Sequence, residues 1–160
     1  MKKVYFASPL FSEMERRYNA HIVSGLRGNY PSLDIYVPQE QLEINDKQAY
    51  ADSKMIANFD TEALIASDLV IAILDGSTID AGVASEIGVA YAKGIPVIGV
   101  YTDTRQLGGD NLKKVEALRE IGENQFHYVN LYTIGLVKLN GIVVASEEEL
   151  VSEIGERLKK

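Results

Sequence analysis

The chain has 160 residues, 46% hydrophobic and 24% charged, which is one domain's worth of globular sequence with enough apolar content for a core. Lysine and arginine number 16 against 23 acids, a formal charge of −7, so a nucleic-acid polymer or an anionic membrane would not find the basic patch that it needs. Cysteine is absent, which excludes disulfides, thiolate metal sites and thiol catalysis, and the only two histidines, His21 and His127, lie too far apart in sequence to suggest a metal site.

Lys3 to Ala7 is rich in strand formers and stops at the turn signal Ser8-Pro9. A helix is predicted over 12–27, with Ser12 and Glu15 at capping-box spacing and Gly28 placed to end it. Asp34 to Val37 is a second short strand closed by Pro38, and 39–50 reads as a polar loop, either functional or a plain surface excursion. Helix resumes over 51–66 on the stripe Ile56, Phe59, Ala63 and Ile65. The unbroken apolar run from Leu69 to Leu74, between Asp68 and Asp75, suits a strand buried on both faces. After the loop Gly76 to Gly82 comes a helix over 83–93, stopped by Gly94 and Pro96, then a buried strand from Ile95 to Tyr101. Amphipathic helices are expected over 110–122 and 130–140. A last strand spans Ile142 to Ala145, and Ser146 with Glu149 opens a final helix.

Strands alternating with helices at this spacing predict an α/β three-layer sandwich with a mostly parallel five-stranded sheet, one domain over 1–160. With no signal peptide and no membrane span expected, the reading is a cytoplasmic protein. Such sheets bind ligands outside the carboxyl ends of their strands, which directs attention to the loops after Ala7, Val37, Asp75 and Tyr101.

The loop after the third strand, Asp75 to Gly88, is glycine-rich but has neither a Gly-Lys-Ser/Thr nor a Gly-x-Gly-x-x-Gly sequence. It carries Asp75, Asp80 and Glu86 instead. Glu86 shares a helix face with Val83, Val89 and Ala90, so it is either an inward-facing working carboxylate or an ordinary acid complementing the helix dipole. Asp80 could cap that helix, and Asp75 could satisfy loop amides. Asp60 sits mid-helix, where aspartate has poor propensity, as a functional group or on a solvated face. Tyr5 is either core or a phenol near the site. Several carboxylates without a thiol or metal cluster point to glycosyl chemistry, in which one carboxylate meets the anomeric carbon and another manages protons.

The opening strand VYFASPLF, the helix NFDTEALIASD, the strand LVIAILDG and the run IDAGVASEIGVAYAKGIPVIGV, in this order and spacing, together with the late Val129-Asn130-Leu131-Tyr132, resemble the nucleoside 2-deoxyribosyltransferase family. The resemblance covers most of the chain and is loose after about residue 103. It implies a flavodoxin-like sheet and retaining transfer of 2-deoxyribose between nucleobases, without cofactor or metal. By the same likeness Glu86 is the nucleophile, Tyr5 the phenol that orients it, and Asp60 and Asp80 the acids that contact the base and handle its proton. Asn130, Ser8, Gly82 and Asp75 are then expected at the substrate, Asn130 from a neighbouring subunit, which makes the protein a homo-oligomer with shared sites. The partners implied are nucleosides or deoxynucleotides and free bases, in nucleotide salvage. Shorter relatives present a terminal aromatic and carboxylate to the sugar; here the end, Glu156 to Lys160 after an amphipathic helix, is expected to stay out of the site. A hydrolase cleaving deoxynucleoside 5′-monophosphates through the same Glu86 is the alternative. It would need phosphate donors such as Ser8, Ser12 and a helix N-terminus, but Phe6 to Glu15 holds no lysine or arginine. Asp80 favours the transferase, since the phosphate-cleaving relatives lack it. A non-catalytic nucleotide-binding module is the third reading, against which Tyr5, Asp60, Asp80 and Glu86 stand together.

Overall fold

A computed structural model describes residues 1–42 and 50–158. Its five strands are β1 (Lys3–Ala7), β2 (Asp34–Tyr36), β3 (Leu69–Ile73), β4 (Val97–Val100) and β5 (Gly141–Val144). They form one sheet in the order β2-β1-β3-β4-β5, and all four pairings are parallel. The helices are α1 (Glu13–Asn29), α2 (Ser53–Ile65), α3 (Ala81–Ala92), α4 (Leu112–Ala117), α5 (Leu131–Leu139) and α6 (Glu147–Leu158). This is the three-layer α/β architecture that the alternating pattern predicts.

Alternation along the strands sorts the core into two layers. Val4, Phe6, Ile71 and Ile98 point to one side and pack with Ile22 and Leu26 of α1 and Leu150 and Ile154 of α6. Tyr5, Ala7, Val70, Ala72 and Val97 point to the other, against Leu64 of α2, Val83, Ile87 and Ala90 of α3 and Val137 of α5. β3 is buried at every residue, as its uninterrupted apolar run requires of a central parallel strand. Gly141 opens β5 where a Cβ would lie 1.8 Å from the carbonyl oxygen of Val97, so β5 can pair with β4 there only through glycine.

Ser12 caps α1 in a complete capping box with Glu15. α1 runs through Gly28 to Asn29 rather than stopping at it, because Tyr30 closes the last turn by donating its N–H to the carbonyl of Leu26. The expected helix over 110–122 is only Leu112–Ala117. Its apolar stripe is real, but Leu112, Val115, Leu118 and Ile121 remain exposed, and Gly122 turns the chain at φ +88. Of the polar 39–50 loop, Pro38–Glu40 opens it as a 3-10 turn, and 43–49 lies outside the described residues. α6 docks on the α1 side, and at the edge of the sheet where the strands begin Lys2 Nζ donates to the Arg157 carbonyl, 2.9 Å away. Among the described residues, no helix is long and apolar enough to cross a membrane.

The chain leaves β1 in one direction to reach β2 and returns on the other side to form β3. The crevice between the divergent loops, at the carboxyl ends of β1 and β3, is where such a sheet opens a site.

Candidate active site

A cavity of about 410 Å³ occupies that crevice. Ser8, Leu10, Phe11 and Arg16 line it from the end of β1 and the start of α1. Pro38 closes one side, Ile56 and Asp60 come from α2, and Asp80, Gly82, Val83 and Glu86 come from the start of α3. Four sequence segments therefore converge on one space.

α3 brings Glu86 inward. Val83, Ile87 and Ala90 form its buried stripe, and Glu86, three residues after one and four before another, shares that edge. Tyr5, fully buried in β1, donates its hydroxyl to Glu86 Oε1 at 2.6 Å. Burial raises the Glu86 carboxyl from an ordinary 4.5 to about 7; the ionised Asp60 and Asp80 push the same way, and the Tyr5 hydrogen bond opposes them. The phenol itself is raised, first by burial and then by the charge of Glu86, so it stays a donor. A carboxylate poised near neutrality, held on one oxygen and open to a cavity, is suited to act as base or nucleophile.

Asp60 is the second carboxyl. It is half-buried on α2 and accepts a hydrogen bond from Tyr36 at 3.2 Å, and burial raises its pKa. Tyr36 stacks on Tyr5 with ring centroids 5.4 Å apart. Asp80 caps α3: its Oδ2 accepts from the Gly82 and Val83 amides at 2.8 and 3.2 Å. Gly82 is small enough for this, since a Cβ there would come within 3.0 Å of the same oxygen. Asp80→Ala is therefore expected to cost about 1 kcal/mol of folding stability whatever it does to activity, and Asp80→Asn much less. Urea unfolding of both variants checks this, and equal losses would contradict the capping role.

The structure thus brings Tyr5, Ser8, Asp60, Asp80, Gly82 and Glu86 together. Asp75 and Asn130 lie elsewhere. Both oxygens of Asp75 accept from Thr102, its amide and its hydroxyl, each at 2.7 Å, and the residue lines a separate groove on the α1 side. Asn130 is exposed and caps α5 by accepting from the Thr133 amide at 3.0 Å. Phe11, Arg16, Tyr36 and Ile56 enter the site without having been singled out from sequence. Arg16 follows one helical turn after the N-cap Ser12, the signal that could have placed it. Among the described residues, no group of three or more histidine, aspartate or glutamate side chains is placed to hold a metal ion.

Residues 4–152 match the sequence model of a family described as nucleoside 2-deoxyribosyltransferase. A conserved protein of Enterococcus faecalis V583, known from its crystal structure, is 65% identical over 98% of this chain and 99% of its own, with a TM-score of 0.94. The 2-deoxyribosyltransferase of Leishmania mexicana is 22% identical over 83% of this chain and 85% of its own, with a TM-score of 0.57. A CMP N-glycosidase of Clostridium botulinum is 16% identical over 98% and 99%, with a TM-score of 0.52. These last two likenesses concern the fold. No curated protein matches the sequence significantly.

Proposed function

The chain belongs to the nucleoside 2-deoxyribosyltransferase family, and from that premise we propose that it transfers 2-deoxyribose between nucleobases through a covalent deoxyribosyl ester on Glu86. The observation that carries this reading is the Tyr5–Glu86 hydrogen bond of 2.6 Å at the wall of a cavity that also holds Asp60. With Oε1 engaged by the phenol, Oε2 is the oxygen that attacks C1′ of the sugar. The C1′–N bond breaks, its electron pair leaves with the base, and the Asp60 carboxyl supplies the proton that neutralises it. In the second half an incoming base attacks C1′, Glu86 departs as carboxylate, and the surplus proton returns to Asp60. The apolar walls from Phe11, Pro38, Ile56 and Val83 suit the faces of a planar base.

Hydrolysis of a deoxynucleoside 5′-monophosphate is a second reading, favoured by one observation: Arg16 lines the cavity beside Ser8, a cation where a phosphate would need one. The sequence window from Phe6 to Glu15 lacks a basic residue, but the next position supplies Arg16.

The two readings separate in one assay. The protein is incubated with deoxyadenosine and free cytosine, and separately with deoxynucleoside monophosphates alone. Base exchange is the expected result; release of deoxyribose 5-phosphate without exchange would establish the hydrolase instead, and binding without turnover a non-catalytic module. In this reading Asn130, exposed among Tyr128, Leu131 and Tyr132, completes the site of a neighbouring copy. Light scattering should therefore find a monodisperse oligomer, and an active monomer would overturn the shared site.

A further inference from the structure

Tyr36 is a residue that neither the folding pattern nor the mechanism above accounts for. It lies on β2, the strand at the edge of the sheet, in direct register with Tyr5 on β1. Register partners in a parallel pair point to the same side, so both phenols emerge beneath α2 and α3. Their rings are stacked, centroids 5.4 Å apart and planes 15° from parallel. Each ring ends on a different carboxyl. Tyr5 donates to Glu86 Oε1 at 2.6 Å, and Tyr36 donates to Asp60 Oδ1 at 3.2 Å, a longer contact with room to tighten as charge develops. Two adjacent strands and two adjacent helices thus present two phenol–carboxyl pairs side by side.

We propose that Tyr36 is a positioning residue for Asp60: braced by its stack on Tyr5, it holds Oδ1, sets the spacing of the second carboxyl from Glu86, and leaves Oδ2 to carry the proton exchanged with the base. This rests on the roles given to Glu86 and Asp60 above. The donated O–H favours the ionised form of Asp60, against burial, which favours the protonated one. Among the described residues, the other titratable or charged groups facing the same cavity are Tyr5 on β1, Arg16 on α1, Asp80 at the cap of α3 and Glu86 within it. Glu86 and Asp60 repel when both are ionised, so the pair retains one proton through part of the neutral range, and Tyr36 biases which partner has it. Each half-reaction needs that proton to move: Asp60 gives it up as the C1′–N bond breaks and regains it when the incoming base forms the new one.

Tyr36→Phe keeps the ring and its stack and removes only the O–H. Its kcat for base exchange should fall about ten-fold with KM changed less than two-fold. The limb of the kcat–pH profile that Asp60 controls should move to higher pH, and Tyr5→Phe should instead move the limb that Glu86 controls. The Asp60 side-chain carboxyl, followed by 13C NMR in the intact protein, should likewise titrate at higher pH in Tyr36→Phe than in the wild type. An unchanged Asp60 titration, or a fall in kcat with no movement of either limb, would overturn the proposal. Should the wild-type protein exchange no base, the transferase reading falls, while the NMR titration still decides the role of Tyr36.

Discussion

Glu86→Gln is expected to abolish base exchange, with a loss on the order of 10⁴-fold or more in kcat, and at the same time to make the protein more stable above neutral pH. The amide keeps an oxygen for the Tyr5 hydroxyl and so preserves the packing of α3, but it cannot form the glycosyl ester. The stability gain follows from burial. In the folded chain the carboxyl is raised to about 7 from an ordinary 4.5. Between those values the native state holds the proton that the unfolded chain has released, so stability falls as pH rises through this window. Above it the ionised Glu86 costs roughly 2–3 kcal/mol. Glutamine has no charge to desolvate. Its melting temperature should therefore exceed that of the wild type by on the order of 5 °C at pH 8, and the difference should shrink toward zero near pH 4. Calorimetry at the two pH values checks the stability gain, and an exchange assay checks the loss of activity. Activity within ten-fold of the wild type would remove Glu86 as nucleophile, and a lower melting temperature at pH 8 would contradict the burial argument.

Asp60→Asn carries the next largest effect, a loss of about 10²–10³ in kcat that depends on the departing base. Asparagine keeps an acceptor for Tyr36 but has no proton to give. Ordinary purine or pyrimidine deoxynucleosides should suffer the full loss. A substrate whose base already carries a positive charge, such as an N7-methylated purine deoxynucleoside, leaves without help and should lose little. The same substitution removes a negative charge beside Glu86, so the Glu86-controlled limb of the pH profile should move to lower pH. Equal losses with both substrates would mean that Asp60 does not carry the proton.

Much of the scaffold was legible because its signals are local. The run Leu69 to Leu74 reads as a doubly covered strand from hydrophobicity alone, and Ser12 with Glu15 marks a helix start that the hydrogen bonds reproduce. Glu86 was legible as an acid on an apolar helix face. What sequence could not reveal is what depends on pairing across the sheet. Tyr36 in a three-residue strand looks like edge filler until its register with Tyr5 is known. Asp75 looks like a site carboxylate until the neighbouring strand end supplies Thr102 for both of its oxygens. The overlong helix at 110–122 has another cause. Its apolar periodicity is present, but Leu112, Leu118 and Ile121 stay exposed among the described residues, and periodicity reports that a face is apolar without saying what meets it.

The bond between Tyr5 and Glu86 spans 81 residues of sequence. Closing so long a loop costs chain entropy, which the parallel pairing of β1 with β3 and the docking of α3 must first repay. The α-helices, stabilised in part by their own caps, can re-form before that event. On refolding from denaturant, the helical signal should thus return ahead of enzymatic competence. A chain trapped in between would hold Glu86 as an ordinary solvated acid, chemically complete yet apart from Tyr5, so under the proposed function base exchange is a more exacting measure of native structure than secondary-structure content.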